Sequence, residues 1–175
     1  LIGYSSHFTI YDSDDSKRVM KECQRLLGIE DKILSHKAIL GEISRAKDAL
    51  ISPDEFERNA GSDYRLQNIA KAYRQYQKLL KQADAMDFDD MIVNTVKLLK
   101  EHDDVREYYQ NRFKYIFVDE YQDTNHAQYV LTSLLAAKHR NICVVGDDDQ
   151  SIYRFRGATI ENILSFEKQY PDATV

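Results

Sequence analysis

The stretch that most constrains this chain is a run of four β-formers, Tyr115-Ile116-Phe117-Val118, that closes on Asp119-Glu120 and a further acid, Asp123. Nothing polar interrupts the run, so it predicts a strand buried on both faces, as in a parallel sheet covered by helices. A helical stretch follows from Asn125 to Lys138. A second apolar run, Ile142-Cys143-Val144-Val145, then ends abruptly on Gly146-Asp147-Asp148-Asp149-Gln150. Strand, helix, strand is a βαβ unit, and its two strands run parallel. Parallel strands bring their carboxyl ends to one edge of the sheet, where ligands of open α/β sheets bind. Both acidic clusters are therefore expected at one crevice.

Carboxylates gathered at a buried strand end repel one another and are costly to desolvate without a positive partner. A divalent cation answers that need. Mg²⁺ takes one or two carboxylates together with phosphate oxygens and water rather than a full protein cage. An apolar strand closing on Asp-Glu is the Walker B arrangement of P-loop nucleotidases, with the Asp on the metal and the Glu able to activate a water. Asp119-Glu120 alone is equally compatible with an acidic, merely solvated loop. The repetition of the device after the second strand favours the nucleotide site.

Two motifs carry a resemblance. Asp119-Glu120-Tyr121-Gln122-Asp123 resembles motif II of the superfamily 1 DNA helicases of the UvrD/PcrA/Rep type, and the similarity is nearest to their PcrA-like members. The run Gly146-Asp147-Asp148-Asp149-Gln150-Ser151-Ile152-Tyr153-Arg154-Phe155-Arg156-Gly157-Ala158 resembles their motif III, and it is long enough to make chance agreement implausible. The resemblance extends over the whole chain. It implies an ATP-dependent, 3′-to-5′ DNA helicase with ATP and Mg²⁺ as cofactors and single-stranded and duplex-junction DNA as partners. It implies Asp119 as the metal residue and Glu120 and Gln150 as catalytic residues, the latter sensing the γ-phosphate. Gln122 and Asp123 join these three at the nucleotide, where they order the site.

The resemblance also assigns Tyr153, Phe155 and Arg156 to DNA. Aromatic rings stack on bases regardless of sequence, each worth about 1–3 kcal/mol, and an Arg pairs with phosphate. Two aromatics at this spacing are otherwise ordinary core residues, but the flanking Arg154 and Arg156 argue against full burial. Phe155 departs from the Trp common in close relatives, so a weaker base contact is expected there.

Composition alone would not suggest nucleic acid. The chain has 175 residues, 30% charged and 43% hydrophobic, with a net charge of −5. Any DNA contact needs a local basic patch. No run is long enough for a membrane span and no signal-peptide pattern opens the chain. Cys23 and Cys143 show no zinc or disulfide spacing, which points to reduced core thiols in a cytoplasmic protein. No G-x-x-x-x-G-K-[ST] loop is present and no initiator Met, so the chain is read as a piece of a longer protein, monomeric and inactive by itself.

Before the acidic strand the pattern is helical. Phe8 to Tyr11 alternates as a short strand, and Asp12 opens a helix that Gly28 stops. Further helices are expected from Ser35 to Ile51, from Ser52-Pro53 to near Gly61, from Asp63 to Asp84, from Asp87 to Lys100 and from Asp104 to Arg112. Lys71, Arg74, Lys78 and Lys81 share the outer face of the longest; such a face is ordinarily just solvated, and its functional reading is contact with duplex phosphates. Asp87 is read as a helix cap, in a run Asp87-Phe88-Asp89-Asp90-Met91-Ile92 that also resembles a family motif. A last helix is expected from Thr159 to Gln169.

The expected fold is α/β. A partial RecA-like P-loop domain of parallel strands and helices is joined to an all-helical inserted subdomain. Residues 1–12 are assigned to subdomain 1A, residues 13–112 to helical subdomain 1B, and residues 113–175 to the later part of 1A with motifs II and III. Two alternatives stand beside the helicase reading. One is a DNA- or protein-docking module without catalysis; the other is part of a helicase-nuclease. Repair and replication are the expected settings.

Overall fold

The computed structural model describes residues 1–147, 166 and 168–174. The described chain divides into two compact units, Leu1–Val93 and Asn94–Val175, each mixing helices with two short parallel strands.

In the first unit, strand β1 (Thr9–Tyr11) leads into α1 (Ser13–Leu27), α2 (His36–Asp48), α3 (Pro53–Ala60) and α4 (Tyr64–Gln82). The helix starts follow the local chemistry of the sequence. Asp12 accepts the Asp14 and Asp15 amides in a capping box, Ser35 and Ser52 cap α2 and α3, and Asp63 accepts the Leu66 amide. Gly28 closes α1 at φ 67°, a left-handed conformation that glycine adopts without steric cost. Packed together, Met20 and Cys23 of α1, Ile39 and Ile43 of α2, and Ile69, Tyr73, Tyr76 and Leu80 of α4 form the core. Burying one such side chain contributes roughly 1.5–3 kcal/mol. Burial also pushes the Cys23 thiol up to about 12, which leaves it inert at neutral pH.

A strand lies inside the stretch expected to be all helical. After α4 the chain turns through Asp84 at φ 49° and forms β2 (Ala85–Asp87), parallel to β1 with Thr9 opposite Ala85 and Tyr11 opposite Asp87. Three residues are too few to leave a period-two signal, and only pairing with β1 makes them a strand.

The charged centre of this unit sits where β2 passes into α5 (Phe88–Glu101). Asp87 accepts the Asp90 amide at 2.8 Å and Asp90 accepts the Asp87 amide at 3.3 Å, a reciprocal cap on α5. The cap expected at Asp87 is therefore present, but these acids are not solvated. Lys47, only 1% exposed, places Nζ 2.6 Å from Asp87 Oδ2 and 2.9 Å from Asp90 Oδ1. The Tyr76 hydroxyl donates to Asp87 and the Gln77 amide donates to Asp90, each at 3.0 Å. At Asp87 burial acts upward but the Lys47 ammonium overrides it, and the carboxyl sits below its usual range. At Asp90 burial prevails and the Asp87 charge adds to it, so that carboxyl sits above.

On the outer face of α4, two of the four basic residues are engaged within the unit. Arg74 pairs with Asp54 and Glu57 of α3, while Lys81 donates to the Ile2 carbonyl at 2.8 Å and lies over the Tyr4 ring.

The second unit holds the end of α5, then α6 (Asp103–Arg112), β3 (Ile116–Val118), α7 (His126–Ala136) and β4 (Ile142–Val144). The two strands pair parallel, with Ile116 opposite Ile142, Phe117 opposite Cys143 and Val118 opposite Val144. The expected βαβ unit is thus formed. Its strands are not buried on both faces, however. Ile116, Val118, Ile142 and Val144 are half-buried, whereas Phe117 is 77% exposed and Cys143 is exposed as well. Alternation puts Phe117 and Cys143 on the same face, and only two strands pair here among the described residues. The core-thiol expectation therefore holds for Cys23 and fails for Cys143. Of the helix expected from Thr159 to Gln169, Phe166, Lys168 and Gln169 are described and helical; its other residues lie outside the described ones. Among the described residues no helix is long and apolar enough to cross a membrane.

Lys47→Met is expected to destabilise the first unit by about 3–5 kcal/mol in denaturant unfolding, since it strands two buried carboxylates. Adding Asp87→Asn and Asp90→Asn should recover a large part of that loss. A single-variant cost below about 1 kcal/mol would mean that the cluster contributes little.

Candidate functional site

The backbone brings the two acidic strand ends together before any side chain takes part. The Val145 amide donates to the Val118 carbonyl at 2.8 Å, and the Tyr121 amide donates to the Val145 carbonyl at 2.9 Å. These bonds continue the parallel ladder one step beyond the strands, so the chain leaving β3 stays beside the chain leaving β4. Asp119 and Glu120 follow β3 directly, while Gly146 and Asp147 follow β4.

Glu120 turns the chain. It lies at φ 51° and ψ 43°, a left-handed conformation that costs a non-glycine residue about 1–2 kcal/mol. Asp119 Oδ1 accepts the Glu120 amide at 2.9 Å, which helps hold that turn. A 3-10 turn, Tyr121–Asp123, follows. It puts Tyr121 and Gln122 inside and leaves Asp123 exposed, as Asp119 and Glu120 are. Tyr121 meets the Phe166 ring edge to face, 5.8 Å between centroids. Asn125 then caps α7 in a reciprocal box with Gln128, at 2.9 and 3.0 Å. The Asn-x-x-Gln spacing could have shown this box in the sequence.

Gln122 is 1% exposed and has a partner at each end of its amide. Its Nε2 donates to Glu120 Oε2 at 2.5 Å, and its Oε1 accepts the Asp147 amide at 3.0 Å. Gly146 makes this possible. A Cβ at Gly146 would lie 2.8 Å from Gln122 Oε1 and 3.2 and 3.3 Å from the Gln122 and Tyr121 backbone nitrogens. The sequence placed Gly146 in a motif but offered no sign that its missing side chain is what admits the glutamine.

Of the residues singled out from the sequence, Asp119 holds the Glu120 amide, and Gln122 links the Glu120 carboxylate to the Asp147 amide, while Asp123 is exposed in the turn between them. Gln150, Tyr153, Phe155 and Arg156 lie outside the described residues. Among the described residues no three His, Cys, Asp or Glu side chains form a ready-made metal cage. The oxygen donors at this exposed rim suit a hard cation that takes one or two carboxylates and completes its shell with phosphate and water.

Comparison with known proteins places these residues in a wider frame. Residues 1–171 match the family described as the UvrD/REP helicase N-terminal domain. Over 172 residues, 98% of this chain, the sequence is 49% identical to the ATP-dependent DNA helicase PcrA of Staphylococcus aureus. It is 48% identical over 172 residues to the PcrA of Staphylococcus epidermidis. The chain spans only 23% and 24% of the length of these relatives.

Gly146→Ala is expected to cost about 1–3 kcal/mol, because the new methyl group meets backbone nitrogens that cannot move aside. Gly41→Ala, in the interior of α2 with its nearest neighbour at 4.0 Å, should instead gain about 0.5–1 kcal/mol. Unfolding midpoints that move in the same direction for both variants would refute the close-packing account of Gly146.

Proposed function

Because the chain belongs to the UvrD/REP helicase family, we propose that it is a segment of an ATP-dependent DNA helicase that translocates 3′ to 5′ along single-stranded DNA. The observation that supports this reading is the link across the ends of the two parallel strands, where Gln122 donates to Glu120 and accepts the Asp147 amide. Asp119 would hold Mg²⁺, which when bound would supply charge neutralisation for phosphoryl transfer. Glu120 accepts a proton from the water that attacks the γ-phosphate. Asp123 and Gln122 order these groups. Gln150 senses the γ-phosphate, and Tyr153, Phe155 and Arg156 engage the DNA. Both ends of one short segment, the nucleotide-facing Gln150 and the DNA-facing residues, then move together.

In this reading residues 113–175 form the later part of a RecA-like P-loop subdomain 1A, to which residues 1–12 also belong. Residues 13–112 form the inserted, largely helical subdomain 1B. The protein acts in the cytoplasm, in DNA repair or replication. The sequence has no phosphate-cradling loop, so the nucleotide site needs residues that this chain does not supply.

Two measurements test the proposal. In the full-length protein, Glu120→Gln should keep nucleotide binding and lower DNA-stimulated ATP turnover by about 10²–10⁴-fold; near-normal hydrolysis would remove Glu120 from the mechanism. The purified 175-residue chain should neither hydrolyse ATP nor unwind DNA. DNA-stimulated turnover by that chain alone would overturn the division of labour proposed here.

A further inference from the structure

Gln122 is placed to do something that neither of its neighbours can do. It is a neutral amide, nearly inaccessible to solvent, with a donor turned to one acidic strand end and an acceptor turned to the other. Replaced by a carboxylate, it would repel Glu120; replaced by lysine or arginine, it could not accept the Asp147 amide. The residue before it is held by the same ladder that ties the two strand ends, through the Tyr121 amide on the Val145 carbonyl. Gly146 closes over Oε1 so tightly that a methyl group there would collide with it.

We infer that Gln122 is a positioning residue, which fixes the carboxylate of Glu120 and makes its orientation follow the Gly146–Asp147 segment at the end of β4. The inference rests on the proposed role of Glu120 in activating water. Nε2 occupies Glu120 Oε2, and the proton taken from water then passes to Oε1. The Asp147 amide occupies Gln122 Oε1, so any shift of the chain leaving β4 pulls on the amide that holds Glu120. That chain runs directly into the segment carrying Gln150, Tyr153, Phe155 and Arg156. A single buried side chain thereby links the nucleotide-activating acid to the start of the DNA-responsive segment. Gln122 is 1% exposed with its amide bonded to protein at each end, so it acts through Glu120.

The test uses the full-length protein and measures ATP turnover with and without single-stranded DNA. Gln122→Ala should lower DNA-stimulated kcat at least about 10-fold, the usual scale for losing a group that orients a catalytic side chain, while KM for ATP changes less than about 3-fold. Gln122→Glu keeps the shape and the acceptor but sets a second carboxylate against Glu120. That repulsion turns the Glu120 carboxylate away, so DNA-stimulated kcat should again fall at least about 10-fold while KM for ATP changes less than about 3-fold. A merely structural role would lower the folded fraction and leave kcat per folded molecule and its split from KM unchanged. This near-isosteric variant carries the test should Gln122→Ala fold poorly.

Three outcomes overturn the inference. Gln122→Ala could leave kcat within about 2-fold while Glu120→Gln is inactive, in which case only the positioning role falls. Gln122→Glu could likewise keep kcat within about 2-fold, with the same consequence. Glu120→Gln could hydrolyse ATP normally, in which case the proposed role of Glu120 falls and the inference falls with it.

Discussion

The parallel pairing of β3 and β4 is what everything at the rim depends on. Three residue pairs define the strands, but the two hydrogen bonds beyond them matter more, from Val145 to Val118 and from Tyr121 to Val145. They hold two chains side by side after both have left the sheet and become acidic. Without them, Asp119 and Glu120 would be one loop and Asp147 another. With them, the strained turn at Glu120 and the buried Gln122 form a single connected structure. A strained residue at such a place is a common mark of a working site, because the surrounding structure must over-determine it.

Charge is handled in opposite ways in the two units. The first unit buries Lys47 between Asp87 and Asp90 and satisfies the group with Tyr76, Gln77 and the first turn of α5. That arrangement is closed, since its cation is part of the chain. The second unit leaves Asp119, Glu120 and Asp123 exposed on a rim to which no basic side chain is ion-paired among the described residues. An exposed cluster of this kind suits a cation and phosphates that arrive together and leave together. The contrast separates a structural ionic group from the proposed catalytic one more clearly than any count of acids could.

Much of this was readable from residue order. Caps at Asp12, Ser35, Ser52 and Asp63, the stop at Gly28 and the alternation of α4 are local chemistry, and local chemistry survives folding. The strand–helix–strand unit was readable for the same reason: its apolar runs are continuous and its interruptions are polar. Three things were not readable. β2 exists only because β1 lies beside it. Lys47 looks like a surface residue of an amphipathic helix until two carboxylates, 40 and 43 positions further on, are folded over it. Phe117 and Cys143 read as core because apolar strands usually are, yet among the described residues both are exposed.

The sequence by itself determined the family, the parallel unit and the acids at its carboxyl end, because these rest on short-range patterns and on a long, specific motif. Only the tertiary structure decided that Gly146 admits Gln122, that Gln122 spans both strand ends, and that Asp87 and Asp90 share a buried lysine. Each of these is a contact between residues distant in the chain or a collision avoided by a missing atom. Residue order carries no record of either until the backbone brings the partners to within a few ångströms.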